Sequence, residues 1–167
     1  MNEKQARLSI RKLLDDNSTT LLSGIIHFGE QREFVHLTTS SATPPTGYYY
    51  LAVLALTSTS DVAGSVNNPT PRMLVKHDIE IALVDYIDSV AAEVEVYEGM
   101  DQDFQLLGDR IVELLEATNF IVSDDGDSFR LDRTTSVIKT NQHQTWEDAQ
   151  NWYAMLFANI GFTLIEC

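Results

Sequence analysis

The chain has 167 residues, 44% of them hydrophobic, which is enough for the core of one domain. Eleven Lys and Arg residues stand against 25 Asp and Glu residues, so the formal charge is −14. This balance argues against a protein that reads nucleic-acid sequence, because such proteins bring a basic surface to the phosphates. Cys167 is the one cysteine, which excludes a disulfide framework and favours a reducing, intracellular origin.

No segment has the pattern of a targeting or membrane sequence. The first residues, MNEKQARLSIRKLL, are charged and lack the apolar stretch of a signal peptide. The longest purely apolar run, Leu51–Leu56, is far too short to cross a bilayer. We therefore expect a protein made in a cytoplasm, with no membrane partner.

The first predicted element is a helix over Glu3–Asp15. Its apolar residues recur three and four positions apart, as on one face of a helix: Ala6, Ile10, Leu13 and Leu14. Two short strands are predicted between Leu21 and Leu37, on either side of the polar letters GEQRE. The Ser/Thr/Pro-rich loop Ser40–Gly47 follows and breaks any regular element.

The middle of the chain predicts a long hairpin. Tyr48–Thr57 is apolar on both faces and rich in strand formers, so we expect a central strand covered on both sides. Ser58–Arg72 has the composition of a mobile loop. Met73–Ile87 alternates apolar and polar residues, which is typical of a strand with one buried face.

The strongest helix signal lies over Asp101–Phe120. Its apolar stripe is regular and its first turn is acidic, and Asn119 is a plausible left-handed stop. The preceding segment, Asp88–Met100, suits either a helix or a strand. One face of this helix must be covered, so we expect a sheet beneath it.

The last third predicts a hairpin, a loop and a strand. The letters SDDGD between residues 120–122 and 128–133 are typical of a hairpin turn at Gly126. Val137–Asn151 is polar and predicts a loop, in which TWED resembles a capping box that opens one helical turn. Trp152–Glu166 predicts a final strand with one unbroken apolar face.

Together these elements predict one α+β domain over residues 1–167. It would contain a mostly antiparallel or mixed sheet, two main helices packed on one face, and a long flexible hairpin loop at 58–72.

The sequence carries no pattern of catalytic, cofactor-binding or metal-binding residues. It lacks the nucleophile elbow, the phosphate-binding loop and the dinucleotide fingerprint, and its histidines lack zinc-site spacing. Asp124, Asp125 and Asp127 resemble part of a calcium loop, but no closing Glu follows, so a turn is predicted there. His77 falls on the apolar side of its strand and predicts a core or edge histidine with satisfied hydrogen bonds.

The order of the elements resembles the tail terminator family of long-tailed, lambda-like bacteriophages. Four segments carry the resemblance and cover most of the chain: YYYLAVLALTSTSDVAG, MLVKHDIEIALVDYI, FQLLGDRIVELLEATNF and YAMLFANIGFTLIEC. The polar Val137–Asn151 segment and the SSATPPTG loop depart from the family pattern. A related ring protein of the head–tail neck therefore stays an alternative.

The resemblance implies a structural protein of the virion, without a cofactor or catalysis. Members of the family form a ring of six that caps the finished tail tube, ends its polymerisation and docks a head-completion or neck protein. Such a ring assembles in the host cytoplasm, and in the virion it lies at the head-proximal end of the tail. Genomic DNA passes through its lumen without sequence-specific binding, and an acidic lumen suits that passage.

Aromatic residues and the ends of the long loop are the candidate contacts between subunits, since aromatic residues are enriched at interfaces. They are Tyr48, Tyr49, Tyr50, Asp61, Val62, Arg72 and Trp146. A second class of function is a small acidic inhibitor or immunity-type protein that occupies a basic partner, which the size and charge also fit. An enzyme with a non-contiguous acidic site ranks last.

Overall fold

The structure is a computed structural model that describes residues 2–17, 26–28, 49–63, 72–89, 94–147 and 152–167. Within these ranges the chain forms two helices and one seven-stranded sheet. In chain order the elements are α1 (Glu3–Asp16), β1 (Ile26–Phe28), β2 (Tyr49–Ala63), β3 (Arg72–Ser89), α2 (Val94–Ala117), β4 (Ile121–Val122), β5 (Ser128–Leu131), β6 (Ile138–Glu147) and β7 (Trp152–Glu166). The predicted α+β single-domain fold is confirmed.

The sheet is built around β7. Its strand order is β1-β2-β3-β7-β5-β4, and β6 pairs with β7 beside β5. Six strands pair antiparallel, and β1 joins β2 in parallel. On one side of β7 lies β3; on the other side β6 pairs with residues 152–161 and β5 pairs with residues 164–166.

Both helices pack on the same face of the sheet, as predicted. The apolar stripes of α1 and α2 meet the alternate residues of β2, β3 and β7 that point to that side. The buried cluster contains Ala6, Ile10, Leu14, Leu51, Val53, Ile79, Ile81, Leu83, Phe104, Leu107, Ile111, Leu115, Leu156, Ala158, Ile160, Phe162 and Leu164. This face, called the helix-covered face, contains the main core.

The other side of the sheet, called the helix-free face, has a smaller apolar patch and a polar row. Ala52, Leu54 and Ala82 form the patch. Farther along the strands, Thr57 Oγ1 and Thr163 Oγ1 donate to the two oxygens of Asp78, at 2.7 and 2.8 Å. This polar row bonds β2, β3 and β7 through side chains as well as through the backbone.

The long predicted loop is shorter than expected, because β2 continues to Ala63 and β3 begins at Arg72. Residues 58–63 pair in register with residues 72–77, from Ser58 opposite His77 to Ala63 opposite Arg72. Their polar composition reflects solvent exposure of a paired strand, since Thr59 and Ser60 are exposed. Residues 64–71, the remainder of the predicted flexible loop, lie outside the described residues.

The second helix starts earlier and ends earlier than predicted. It runs from Val94, so the ambiguous VEVY letters are helical, and it ends at Ala117. Two groups close its last turn: Thr118 Oγ1 donates to the carbonyl of Leu114, and Arg133 Nη2 donates to the carbonyl of Glu116. Asn119 does not adopt the predicted left-handed conformation, because Gly126 is the one described residue with positive φ.

The predicted loop and helical turn after Val137 are wrong, because Ile138–Glu147 is a strand. It forms ten cross-strand pairs with β7. Three successive residues, Thr140, Asn141 and Gln142, are exposed, so both faces of the strand meet solvent there. Pairing rather than burial therefore holds β6, and its sequence shows no apolar period.

The hairpin at Gly126 and the final strand agree with prediction. Gly126 adopts φ of 87°, which a turn of this kind requires and glycine tolerates. The predicted strand residues at 34–37 and the loop Ser40–Gly47 lie outside the described residues.

Candidate functional site

The structure divides the predicted interface residues between two ends of the sheet. Asp61 and Val62 pair with Leu74 and Met73 at one end, next to Arg72. Tyr49 starts β2, twelve residues earlier, which places it roughly 40 Å away at about 3.3 Å per residue. A single contact patch that contains all of these residues is therefore excluded.

The aromatic candidates lie at the end opposite to Asp61. Tyr49 and Tyr50 pair with Asp85 and Val84 of β3, and Trp146 pairs with Tyr153 of β7. Strands β3 and β7 stand between β2 and β6, so Tyr49 and Trp146 lie about 15 Å apart across the sheet. Tyr48 lies outside the described residues.

The sheet has two different edges that no described strand completes. On one side, β1 pairs with β2 along Tyr49–Leu51, and no described strand pairs with the rest of that edge. On the other side, the outer edge of β6 has no partner strand among the described residues. Unpaired N–H and C=O groups on such edges are available to another chain.

Five large apolar side chains of the described residues are exposed: Leu56, Leu106, Phe120, Val122 and Ile138. Leu56 lies on β2 where the pairing with β3 shifts between Ala55 and Thr57, a β-bulge. Such bulges occur often at sheet edges and redirect a side chain. Scattered exposed side chains are ordinary on a protein surface, so their positions relative to other features decide their meaning.

A pocket of ≈ 410 Å³ lies beside Phe120, at the edge formed by β4 and β5. Phe120, Leu131 and Ile165 supply its apolar wall, and Arg130 and Arg133 supply two guanidinium groups. Among the described residues Arg130 makes no ion pair, and Arg133 donates to the carbonyls of Glu116 and Thr118 at 2.8 and 3.4 Å. Sequence reasoning did not single out these residues.

Asp132, which lines this pocket, is buried and forms an ion pair with Lys76. Lys76 Nζ lies 2.7 Å from Asp132 Oδ2, and the Asp132 side chain is 2% exposed. Asp132 Oδ1 also accepts from the backbone N–H and the hydroxyl of Thr134 at 3.0 and 2.6 Å. The Lys76 hydrogen bond, followed by those from Thr134, lowers the pKa of Asp132 to about 2.

A second polar cluster lies on the helix-covered face around His77, whose side chain is 0% exposed. His77 Nδ1 lies 2.6 Å from Ser58 Oγ, and Nε2 lies 2.8 Å from Glu166 Oε1. Glu166 Oε1 also accepts from the backbone N–H of Asn2 at 2.5 Å, and Ser58 Oγ lies 3.0 Å from Glu3 Oε2. The cluster, called the His77 cluster, thus joins α1, β2, β3 and β7.

The protons of the His77 cluster can be counted. The Ser58 hydroxyl has one proton and can donate it to Glu3 or to His77, but not to both. Which of the two contacts uses that proton depends on the tautomer of His77.

Burial raises the pKa of Glu166, but the hydrogen bonds from His77 and Asn2 outweigh it, so the pKa lies below the ordinary value. A serine, a histidine and a glutamate in one chain of hydrogen bonds can activate a nucleophile in enzymes. Here the ring is fully buried, and Ser58 Oγ also contacts Glu3. These contacts favour a structural role in which the cluster holds the strands and α1 together. They confirm His77 as a core histidine with satisfied hydrogen bonds.

Two polar groups on the helix-free face are poorly solvated. Burial raises the pKa of Glu80. Asn159 Oδ1 is buried and has no hydrogen-bond partner in the described part of the chain. Asn159 pairs with Ala82, and the next residue of the same face, Gly161, pairs with Glu80, so the two groups are neighbours. The central part of this face is therefore less favourable for polar groups than the polar row at Asp78.

The acidic segment at 123–127 forms a turn, as predicted. Ser123 N donates to the carbonyl of Asp127 at 2.9 Å, and Gly126 N donates to that of Ser123 at 3.1 Å. The carboxylates of this turn hold α1: Asp127 accepts from Asn2 at 2.7 Å, and Lys12 lies 3.0 Å from Asp124. Among the described residues, no group of three or more His, Cys, Asp or Glu is placed to hold a metal ion.

Comparison with known proteins adds no family. No protein-family model matches the chain, and no curated protein is similar enough in sequence to count as a relative. No helix of the described part is long and apolar enough to cross a membrane.

Proposed function

We propose that the chain is the subunit of a ring that caps the tail tube of a long-tailed bacteriophage. The ring ends polymerisation of the tube and joins the tail to a head-completion or neck protein. It acts by assembly and contact, without a cofactor or a catalytic step. In the virion it occupies the head-proximal end of the tail.

The observation that supports a ring best is the pair of unlike edges on one sheet. The edge of β2 and the edge of β6 differ in length and sequence, and no described strand completes either of them beyond β1. A contact that joins two different edges of identical subunits is heterologous, and repeated heterologous contacts close into rings when the rotation permits. The described sheet is therefore suited to head-to-tail assembly.

The order of elements is a second support for the tail terminator. The resemblance implied an apolar strand, a long hairpin, an alternating strand, a helix, a short hairpin and a terminal strand on a sheet with helices on one face. The described elements follow that order from β2 to β7. The extra strand β6 departs from the family pattern, and it keeps the neck ring protein as the alternative.

The charge supports passage of DNA rather than its capture. With a formal charge of −14 on each subunit, a ring presents a strongly negative surface to a phosphate backbone. DNA that passes through such a lumen meets few groups that would hold it. The same charge opposes the approach of subunits, and a divalent cation would reduce that repulsion.

Negative-stain electron microscopy of the purified protein, with and without a divalent cation, tests the proposal. We expect closed rings with a central hole wide enough for duplex DNA. Purified tail tubes of a long-tailed phage then separate the alternatives, because a terminator binds tube ends and stops their growth, whereas a neck ring does not. Tubes without added protein are the control. Monomers under every condition, tubes included, together with tight one-to-one binding of a basic protein, would favour the inhibitor class.

A further inference from the structure

An exposed leucine lies on the part of the β2 edge that no described strand completes. Leu56 is 57% exposed and lies at the β-bulge, beyond the residues that pair with β1. The next residue, Thr57, bonds to Asp78, whose carboxylate is exposed. Glu3 of α1 is also exposed there and is hydrogen-bonded to Ser58. Leu56 therefore lies at this edge with Glu3 on the helix-covered face and Asp78, one strand inward on β3, on the helix-free face.

The pocket at Phe120 has the complementary composition. Phe120 is 65% exposed and forms the apolar wall with Leu131 and Ile165. Arg130 and Arg133 line the same pocket, and the carboxylate of Asp132 is already paired with Lys76. The pocket is thus apolar and basic, in a chain whose formal charge is −14.

The two features lie on opposite edges of the sheet at nearly the same level. Thr57 pairs with Asp78, Asp78 pairs with Thr163, and the N–H of Asp132 donates to the carbonyl of Thr163 at 2.8 Å. Arg130 pairs with Ile165, Ile165 pairs with Lys76, and Lys76 pairs with Thr59. Arg130 and Thr59 therefore lie at the same height along the strands. The bulge and the pocket therefore differ in height by at most about two residues, roughly 7 Å.

Equal height matters for closure. A contact between two edges at the same level carries little rise along the strands from one copy to the next. Heterologous contacts without rise close into rings, whereas a rise produces a helical filament. The positions of Leu56 and the pocket thus fit a closed ring whose axis runs roughly along the strands.

We propose that Leu56 of one copy inserts into the pocket of the next copy, against Phe120 and Ile165. Glu3 and Asp78 of the first copy then face Arg130 and Arg133 of the second. The inference rests on the proposed function, because it names the contact that closes the proposed ring. The occupant is a second copy of this chain, since its β2 edge offers an apolar group for the apolar wall and acidic groups for the two arginines.

A matched pair of leucine variants tests the contact. Leu56→Asp should weaken association between copies at least about tenfold, because a carboxylate replaces the inserted apolar group. Leu106→Asp is the control, since Leu106 is 48% exposed on α2 and does not line the pocket. Both variants should keep the Tm of the monomer within about 2 °C, because neither side chain is buried. Electron microscopy and analytical ultracentrifugation measure the ring fraction.

Cross-linking tests the contact without relying on complete rings. Two variants are prepared in a Cys167→Ser background, one with Leu56→Cys and the other with Phe120→Cys. On mixing and mild oxidation, a disulfide-linked dimer should form between the two variants. Leu106→Cys mixed with Phe120→Cys should give no such product above background.

The outcomes separate the inference from the function. Wild-type rings that persist with Leu56→Asp overturn the inference and leave the ring function standing. Absence of wild-type rings, on tubes or in solution, together with a specific Leu56→Cys and Phe120→Cys product overturns the ring function and keeps the contact. Absence of both rings and product overturns both. Loss of rings with Leu56→Asp alone, together with the specific product, supports both.

Discussion

Two successive residues of β3 carry polar clusters on opposite faces of the sheet, and the two clusters differ in which member is buried. His77 is 0% exposed on the helix-covered face, and its partner Glu166 is 23% exposed. On the helix-free face the buried member is Asp132, at 2% exposure, and its partner Lys76 is 34% exposed. On one face the sheet buries a group that can be neutral, and on the other it buries an anion.

The difference shows which hydrogen-bond partners each buried group requires. A buried imidazole needs two hydrogen-bond partners, which Ser58 and Glu166 supply from β2 and β7. A buried carboxylate needs a cation and several donors, which Lys76 and Thr134 supply. The His77 cluster joins β3 to the end of β7, and the Asp132 pair joins β3 to the residue that follows β5. Both lie where the backbone pairing of β7 with β6 has already ended.

The largest expected effect comes from His77→Ala. The substitution leaves a cavity beside Phe129, whose ring lies 6.1 Å from the imidazole, and removes the partner of Glu166. Partly exposed Glu166 can recover some hydration, so we expect a loss of about 3 kcal/mol in the free energy of unfolding. Urea unfolding at a low protein concentration measures it.

Ser58→Ala is the graded control for the His77 cluster. It removes one contact of the cluster without a large cavity, so a loss of about 1 kcal/mol is expected. If His77→Ala lowered the free energy of unfolding by no more than Ser58→Ala does, the His77 cluster would not hold the strands together as described.

Much of this comparison could not be read from the sequence. The alternation of Met73–Ile87 predicted the strand and the burial of His77, because burial on one face leaves a period of two. The partners of His77 lie 19 and 89 residues away, at Ser58 and Glu166. Strand pairing and register set these partners, and a single sequence does not reveal register.

The strands that sequence reasoning missed are the polar ones. Thr59, Ser60 and residues 140–142 are exposed on paired strands, so neither of these polar segments shows the apolar period that identified β3 and β7. The same limit applied to the pocket, because Phe120 and Arg130 come together through the β4–β5 hairpin and the pairing of β5 with β7. A pattern of burial predicts a core, whereas the edges of a sheet carry no such pattern.

The second prediction uses the pH dependence of stability to test whether the buried member of the second cluster, Asp132, is an anion. The pKa of Asp132 is lowered to about 2 from 3.8, so its stabilising effect is full above about pH 4 and is lost as the pH falls through 2. Asp132→Asn should therefore cost about 2 kcal/mol at pH 7, and the difference from wild type should shrink toward zero near pH 2. Urea unfolding between pH 2 and pH 7 measures the difference.

Lys76→Met is the matched variant for the acid effect. It removes the first cause of the lowered pKa of Asp132 and keeps the donors of Thr134. Its stability should therefore lose most of the pH dependence that Asp132→Asn also removes. A difference between wild type and Asp132→Asn that stays constant down to pH 2 would contradict the assignment of the charge to Asp132.

The smallest expected effect on the free energy of unfolding comes from a third polar contact, which is open to solvent. Lys139 of β6 pairs with Asp109 of α2, whose side chain is 57% exposed, and the Lys139 ammonium also lies 3.5 Å from the carbonyl of Gln105. Exposed pairs contribute little because water screens the charges and two long side chains lose freedom. Asp109→Asn should change the free energy of unfolding by less than about 1 kcal/mol, and 1 M salt should remove the difference. An effect as large as that of Asp132→Asn would mean that this contact, rather than backbone pairing with β7, anchors β6 to the domain.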